Sequence, residues 1–267
     1  PEYRIPDAID RDLQRPDIDQ RVPASTLELL QSVPGVDALG AGGRGGLTFV
    51  SIRGGDPNYT LFLLDGVKIN DPTNSRGGGV DLYTIPTTLI DTIAVSARPA
   101  SAVPGSDGLS GTISIQTVAP RGLRFTGNLD NHGSGAGGAA IGGDLGEGLS
   151  GSLAVGREDG DSGAEKDSLR NTYLLARGSA EPTDSTSLGL MYLYVDGEAR
   201  GFPEDSGGDR LAVIPVTETR DFRRKVGAAN AQWWLGDGLL LKGAGSWSSL
   251  NERTDNPGIA PGTLPGV

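Results

Sequence analysis

The one run of side chains in this sequence with an obvious metal-binding composition lies between residues 158 and 167. This segment contains five carboxylates, with Gly160 among them, namely Glu158, Asp159, Asp161, Glu165 and Asp167. Carboxylate oxygens and turn-forming glycines suit Ca²⁺, but the helix-flanked spacing of an EF-hand is missing. A solvated acidic loop is therefore the alternative. We name Asp159, Asp161 and Glu165 as candidate Ca²⁺ ligands and predict no required cofactor.

The sequence offers no catalytic constellation. His132 is the only histidine and sits beside glycines, where we expect an exposed loop residue, so Ser-His-Asp and histidine–metal sites are excluded. The chain has no cysteine, which excludes thiol chemistry. Paired carboxylates are plentiful, but all of them lie in segments that we expect to be polar loops, with no apolar pocket around them. The glycine-rich loop from Gly40 to Gly46 is not followed by the Lys-Ser or Lys-Thr of a phosphate loop. We therefore predict that the protein is not an enzyme.

Composition favours strands over helices and argues against nucleic acid as a partner. The 43 glycines and 17 prolines, with 36% hydrophobic residues, suit a turn-rich chain. The formal net charge of −11 opposes phosphate binding, which needs clustered Lys and Arg. No apolar run approaches the ~18 residues of a membrane-spanning helix. A closed barrel of strands is the other structure that can cross a membrane.

The chain has two regions that differ in their pattern of apolar and polar residues, and the helices and strands of these regions position the candidate residues. Residues 1–24 are polar and rich in proline, and we expect an extended lead-in. Ser25 and Glu28 then form a capping box, which predicts a short helix that ends at Pro34-Gly35.

Short apolar runs bounded by glycine or Asp-Gly turns follow the helix. They predict a compact α+β unit rather than a dinucleotide-binding fold. One helical turn should begin at Pro86, and Asn70 to Asp81 should form a long polar loop. The predicted strands are Leu47–Arg53, Thr60–Leu64, Val67–Ile69, Asp91–Ser96 and Thr112–Thr117.

Four motifs in this unit together carry a family resemblance. They are Ile52-Arg53-Gly54, Leu64-Asp65-Gly66-Val67, Asp91-Thr92-Ile93-Ala94-Val95 and Gly105-Ser106-Asp107-Gly108-Leu109-Ser110-Gly111-Thr112-Ile113. In this order the region from about residue 25 to 120 resembles the plug domain of TonB-dependent outer-membrane receptors, and the cobalamin-receptor branch is the closest. Cobalamin receptors bind calcium in a comparable early extracellular loop, which adds to the Ca²⁺ hypothesis.

The resemblance implies that Arg53 and Arg98 anchor the plug to carboxylates on the inner wall of a barrel. The alternative is that both are ordinary exposed charges at strand ends. Arg53 lies in an intact Ile-Arg-Gly motif. Arg98 departs from the family pattern, since Arg98-Pro99-Ala100 stands where Arg-Gly-Pro is usual.

The resemblance also implies that two plug loops contact a small-molecule ligand. The first is Gly40 to Gly46, with Arg44, and the second is Asn70 to Asp81. Small polar side chains in the mouth of a barrel can hydrogen-bond such a ligand. The predicted ligand-binding residues are Arg44, Asn70, Thr73, Asn74, Ser75 and Arg76.

After Pro120 the sequence changes to segments that alternate apolar and polar residues. This period of two is typical of a transmembrane β-barrel, and a soluble sandwich is the alternative. Short and long connections alternate along the chain, which favours the barrel. The seven predicted strands lie near residues 122–130, 137–145, 149–157, 169–180, 186–196, 223–235 and 239–250.

We therefore expect three regions, a polar lead-in over residues 1–24, a plug over 25–120 and the N-terminal part of a transmembrane barrel over 121–267. Plugged outer-membrane transporters have about 22 strands, and about seven cannot close around a plug. The barrel is thus incomplete. Its remaining strands are expected from the same or a second polypeptide.

The resulting hypothesis is a TonB-dependent transporter that imports a metal chelate, cobalamin or similar scarce ligand through a plugged barrel in the outer membrane of a Gram-negative bacterium. Its partners would be outer-membrane lipid and a TonB-type energy-coupling protein. No energy-coupling box can be matched before the plug. A non-transporting structural or adhesive component is therefore the alternative, and a soluble binding module is the third.

Overall fold

The computed structural model of the chain describes a mixed N-terminal unit and a large antiparallel sheet. The described residues are 10–23, 25–40, 48–71, 79–98, 108–129, 134–161, 167–203, 216–236 and 238–256. Within them, no helix has both the length and the apolar character needed to cross a membrane.

The N-terminal unit, which we call the plug, is built on a five-stranded sheet in the order β1-β6-β7-β4-β5. Neighbouring strands are antiparallel except β4 and β7, which pair in parallel. Single-turn 3₁₀ helices span Pro57–Tyr59, Leu82–Thr84 and Thr87–Leu89. The strands are β1 Asp10–Gln14, β4 Thr60–Leu64, β5 Val67–Lys68, β6 Ile90–Ser96 and β7 Gly111–Thr117.

The predicted helix and the turn that ends it are both present. Helix α2 spans Thr26–Gln31, and the Ser25 hydroxyl accepts a hydrogen bond from the Glu28 amide at 3.3 Å. Gly35 takes a φ of 79°, a conformation that glycine adopts without a steric penalty. The chain then forms the antiparallel pair β2, Val36–Gly40, and β3, Thr48–Ile52.

The expectation of an extended lead-in over residues 1–24 is wrong for residues 10–21. β1 pairs with β6, and helix α1 spans Arg15–Arg21. Gln14 and Asp17 cap α1 reciprocally, and Ile18 is 1% exposed in the core. The polar composition gave no sign of this helix. One buried isoleucine and the capping box stabilise it against the rest of the plug.

The second unit, which we call the wall, is a seven-stranded antiparallel sheet in chain order with β8 and β14 at its edges. All seven strands predicted from the alternation are present. They are β8 Gly122–Leu129, β9 Gly135–Gly146, β10 Leu149–Asp161, β11 Ser168–Thr183, β12 Thr186–Gly201, β13 Glu218–Leu235 and β14 Leu239–Asp255.

Strands β10 to β14 extend beyond their predicted bounds at the end that carries the long connections, which we call the long-loop end. The opposite end has the tight connections and is the short-turn end. At the long-loop end the outward side chains are charged and pair across strands, for example Arg170 with Asp159 at 2.8 Å and Arg223 with Asp196 at 2.9 Å. Backbone pairing thus continues after the apolar alternation stops, so the alternation underestimated strand length.

The plug packs on the inward face of the wall. Outward residues such as Phe125 and Leu190 are 72% and 66% exposed, whereas inward Leu193 and Val226 are 1% and 0% exposed. One continuous cluster of buried apolar residues contains these wall residues together with plug residues such as Phe62. Burial of this shared surface positions the polar contacts described next.

Candidate functional site: the contact between plug and wall

Arginines of the wall form ion pairs with aspartates of the plug at three places. Arg220 lies 2.7 Å from Asp81, and Arg177 lies 2.5 Å from Asp65. Arg124 of β8 lies 3.6 Å from Asp19 of α1 and 3.7 Å from Asp91 of β6. The charge polarity of these contacts, with cations on the wall and anions on the plug, is the reverse of the one implied for Arg53 and Arg98.

The pair between Arg220 and Asp81 is the most deeply buried of the three. Its side chains are 3% and 7% exposed. Asp81 also accepts hydrogen bonds from the Tyr83 amide at 3.1 Å and from the Thr48 hydroxyl at 3.3 Å. Thr48 begins β3, directly after the first predicted ligand loop, and Asp81 ends the second. The network therefore joins the bases of both predicted ligand loops to β13.

Two more wall side chains bind plug backbone or hydroxyl groups next to this pair. Arg224 is 1% exposed and donates to the Thr84 hydroxyl at 3.0 Å and to the Ile69 carbonyl at 3.4 Å. Asn171 of β11 is fully buried and donates to the Tyr83 carbonyl at 2.7 Å. These donors satisfy plug oxygens that burial would otherwise leave without partners.

Glu158 of β10 holds the start of the 3₁₀ helix Thr87–Leu89. One carboxylate oxygen accepts from the Thr87 amide at 2.5 Å, the Thr87 hydroxyl at 2.6 Å and the Thr88 amide at 3.4 Å. Glu158 is 9% exposed, so the expectation that all carboxylates lie in polar loops without apolar surroundings is wrong for this residue. A buried carboxylate bound by amides and a hydroxyl is a strong, charge-assisted attachment.

Arg177 makes the contact nearest the short-turn end. Besides Asp65, it donates to the Thr117 hydroxyl and to the Thr117 carbonyl, the latter at 3.4 Å. Asp65 also accepts from the Thr117 amide at 3.0 Å and from its hydroxyl at 2.7 Å. The Asp65-Gly66 turn is thereby fixed to β7 and to the wall together.

Of the two arginines predicted as anchors, Arg53 forms no ion pair with the described strands of the wall. Arg53 is exposed, and its backbone takes a φ of 55°, an uncommon conformation for a residue other than glycine. Its amide donates to the Gly35 carbonyl at 2.9 Å. Arg98 is exposed at the end of β6, and its amide lies 3.5 Å from the Ser96 hydroxyl. Their anchoring role stays a prediction.

Of the predicted ligand-binding residues, only Asn70 belongs to the described part of the chain. Its side chain donates to the Thr60 carbonyl at 2.9 Å and accepts from the Phe62 amide at 2.8 Å, which holds the loop base against β4. Five residues lie outside the described residues, namely Arg44, Thr73, Asn74, Ser75 and Arg76.

Of the three candidate Ca²⁺ ligands, only the side chain of Asp159 belongs to the described part of the structure. Asp159 lies within β10 rather than in a loop, and its carboxylate pairs with Arg157 at 2.6 Å and Arg170 at 2.8 Å. Asp161 ends β10, and Glu165 lies outside the described residues. The part of the chain that the structure describes contains no group of three or more potential metal-ligating side chains. Binding of Ca²⁺ stays a prediction.

Sequence reasoning missed the wall residues that hold the plug, although the alternation carries a signal for them. Arg224 and Asn171 occupy inward positions whose neighbouring inward residues are buried apolar or aromatic side chains, whereas Arg220 lies before the predicted start of its strand at residue 223. Large polar residues in the buried phase of a strand need partners, so such positions mark contacts with a second element. Glu158 was hidden because the strand was predicted to end before it.

A small α+β domain attached to the inward face of a strand wall by buried polar contacts is the arrangement of a plugged outer-membrane receptor. The comparisons agree, since residues 2–112 match the family described as TonB-dependent Receptor Plug Domain. The N-terminal part of the chain is therefore similar to the plug domain of TonB-dependent receptors.

One curated relative is the Vitamin B12 transporter BtuB of Vibrio vulnificus strain YJ016. It is 37% identical over 123 residues, which are 44% of this chain and 20% of that protein. The same-named protein of strain CMCP6 is 36% identical over 107 residues. The chain thus spans about a fifth of the length of the curated relatives that it matches.

Solved receptors share the fold over nearly the whole chain. The ferric citrate transporter FecA aligns with a TM-score of 0.76 at 18% identity, covering 93% of this chain and 40% of that one. The ferric enterobactin receptor PfeA of Pseudomonas aeruginosa aligns with a TM-score of 0.68 at 18% identity, covering 96% and 43%. The predicted fold class, an α+β plug followed by an incomplete antiparallel barrel, is confirmed.

Proposed function

We propose that this chain is the plug and the first seven wall strands of an outer-membrane transporter that imports a scarce small molecule. The observation that carries the proposal is the plug itself. It matches the receptor plug family over residues 2–112, and buried wall side chains bind it on the inward face of the strands. A plug in that position obstructs a barrel, so passage of a ligand requires the plug to move.

The ligand class is a metal chelate, cobalamin or a similar compound. Two curated relatives are named vitamin B12 transporters, and the solved neighbours include receptors named for ferric enterobactin and ferric citrate. The ligand would meet the two plug loops whose bases are joined by Thr48 and Asp81. Binding and transport, rather than catalysis, is the activity that we propose.

The proposed environment is the outer membrane of a Gram-negative bacterium. Outward wall residues form an apolar surface that would face lipid, as shown by Leu123 at 65% and Phe125 at 72% exposure. Trp233 and Trp247 are also exposed on the outward face, as expected for side chains at a lipid–water boundary. A TonB-type protein would supply the energy for plug movement, and further strands would complete the barrel.

An uptake assay in the source bacterium tests this proposal. Cells with and without the intact gene are given radiolabelled cyanocobalamin, ferric citrate or ferric enterobactin, each with and without a protonophore. We expect energy-dependent accumulation of one compound class, lost in the deletion strain and restored by the gene. Equal accumulation of all three compounds in both strains would favour a non-transporting component of the outer membrane.

A further inference from the structure

The outward face of the wall changes from apolar to charged towards the long-loop end. Leu174 of β11, Tyr194 of β12 and Lys225 of β13 are direct partners in strand register and form one row across this face. On the short-turn side of this row the outward side chains are apolar or small, as for Trp247, which is 52% exposed. Lys225 therefore lies at the border of the apolar surface.

This border carries more cations than anions. The next row towards the long-loop end contains Arg157, Asp196 and Arg223. Together with Lys225 these residues are three cations and one anion. The row beyond them has three anions and two cations, namely Asp159, Glu198, Asp221, Arg170 and Arg253. The excess of positive charge thus lies directly beside the apolar surface, in a chain whose formal net charge is −11.

Arg223 is held in a position that leaves part of its guanidinium for a ligand. Its Nε donates to Asp196 at 2.9 Å, and its guanidinium carbon lies 5.9 Å from the centre of the Tyr194 ring. The two terminal nitrogens of Arg223 take no part in the pair with Asp196. By contrast, Arg157 donates to Asp159 through both Nε and a terminal nitrogen. Terminal guanidinium nitrogens form the fork that binds phosphate oxygens.

Lys225 supplies a second cation to the same place. It follows Arg223 by two residues on β13, so both side chains lie on the outward face, about 7 Å apart along the strand. Within the described part of the chain, Lys225 forms no ion pair. A phosphate monoester carries about 1.5 to 2 negative charges at pH 7 and three acceptor oxygens, so it can bind a guanidinium and an ammonium group together.

We infer that Arg223 and Lys225 bind the phosphate group of a lipid whose acyl chains cover the neighbouring apolar surface. A lipid has both parts that this border requires, since its headgroup meets the two cations and its chains meet side chains such as Leu174 and Trp247. Cationic side chains at a membrane surface attract anionic headgroups. The inference rests on the proposed placement of the wall in a membrane and does not depend on transport.

Lipid binding to the intact receptor in detergent tests the site. The probes are dioleoylphosphatidate and dioleoylglycerol, which has the same acyl chains without the phosphate, and native mass spectrometry gives the bound fraction at each lipid concentration. The site variant is Arg223→Gln/Lys225→Gln. The matched control, Arg200→Gln/Arg253→Gln, removes the same charge from outward positions further from the apolar surface. Arg200 and Arg223 are 55% and 52% exposed, so we expect both variants to fold.

We expect the site variant to bind dioleoylphosphatidate roughly tenfold more weakly than the parent, because it loses both cations that face the headgroup. The control should stay within about twofold of the parent. Dioleoylglycerol should bind the three proteins equally. Equal binding of dioleoylphosphatidate to the parent and the site variant would overturn the site. An equal loss in the control would also overturn it, because the effect would then be a general one of charge.

Competition separates a lipid site from a site for free anions. Excess inorganic phosphate should leave most of the dioleoylphosphatidate bound, because the acyl chains contribute to its affinity. Complete displacement would contradict a lipid as the occupant. If the parent binds dioleoylglycerol as tightly as dioleoylphosphatidate, the phosphate site is wrong while the membrane placement of the wall stands. If the parent binds neither lipid, that placement is contradicted together with the site.

Discussion

Replacing Arg220 by alanine should release the base of the second ligand loop from the wall. The substitution leaves the Asp81 carboxylate 7% exposed without its cation. Removing one partner of a buried ion pair costs about 3–5 kcal/mol, because an uncompensated charge stays in a medium of low polarity. Asp81 keeps its bonds from Thr48 and Tyr83, so we expect the lower part of that range.

Hydrogen exchange of the Leu82 and Tyr83 amides reports this loss locally. The Leu82 amide donates to the Thr48 hydroxyl at 2.7 Å, and the Tyr83 amide donates to Asp81. A loss of about 3 kcal/mol corresponds to exchange that is roughly 100-fold faster or more when local opening controls the rate. The measurement uses the intact receptor in detergent, with peptide-resolved mass spectrometry.

Two comparisons make this result specific. In Arg223→Ala, an exposed pair with Asp196 is lost, so exchange at these amides should change less than about fivefold. The double variant Asp81→Asn/Arg220→Met removes both charges and should recover much of the protection. A change below threefold in Arg220→Ala, or no recovery in the double variant, would refute the buried-pair argument.

Three further predictions concern other positions. Glu158→Gln keeps the size of the side chain but removes the carboxylate that binds the 3₁₀ helix Thr87–Leu89. We therefore expect roughly tenfold faster hydrogen exchange of the Thr87 amide. An unchanged exchange rate would contradict this attachment of the helix to β10. Gly111→Ala should lower the free energy of unfolding by more than about 2 kcal/mol, because the φ of Gly111 is 147° and a Cβ there would lie 2.3 Å from the Ser96 carbonyl oxygen. A denaturant midpoint equal to that of the parent protein would contradict this prediction. A Ca²⁺ site predicts that calorimetric Ca²⁺ binding is lost in Asp159→Asn/Asp161→Asn, and the same heats in parent and variant would exclude those ligands.

Periodic features of the sequence predicted most of the fold. The strand Thr60–Leu64 was predicted with its observed bounds, and the cap at Ser25 began a helix as expected. The seven wall strands followed from a period of two because one face meets the plug and the other does not. These features are local, so sequence spacing alone reveals them.

The parts that sequence reasoning missed depend on contacts between distant segments. β1 forms because it pairs with the edge of β6, about 80 residues later in the chain. The sequence of either strand alone does not indicate its partner. The partners of Arg177 and Arg224 lie 60 to 155 residues away in the chain. The family resemblance implies anchoring by Arg53 and Arg98 on the plug, whereas the described ion pairs between plug and wall are made by arginines of the wall.

The position of the plug within the wall is the central claim, and cross-linking in native outer membranes tests it most directly. Asp81→Cys and Arg220→Cys are introduced into the intact receptor, whose described chain has no other cysteine, and isolated outer membranes are treated with a short bis-maleimide. The structure predicts an intramolecular link between the peptides that contain residues 81 and 220, formed in most molecules. Recovery of the receptor without that link, or with links only between separate molecules, would contradict the proposed placement of the plug.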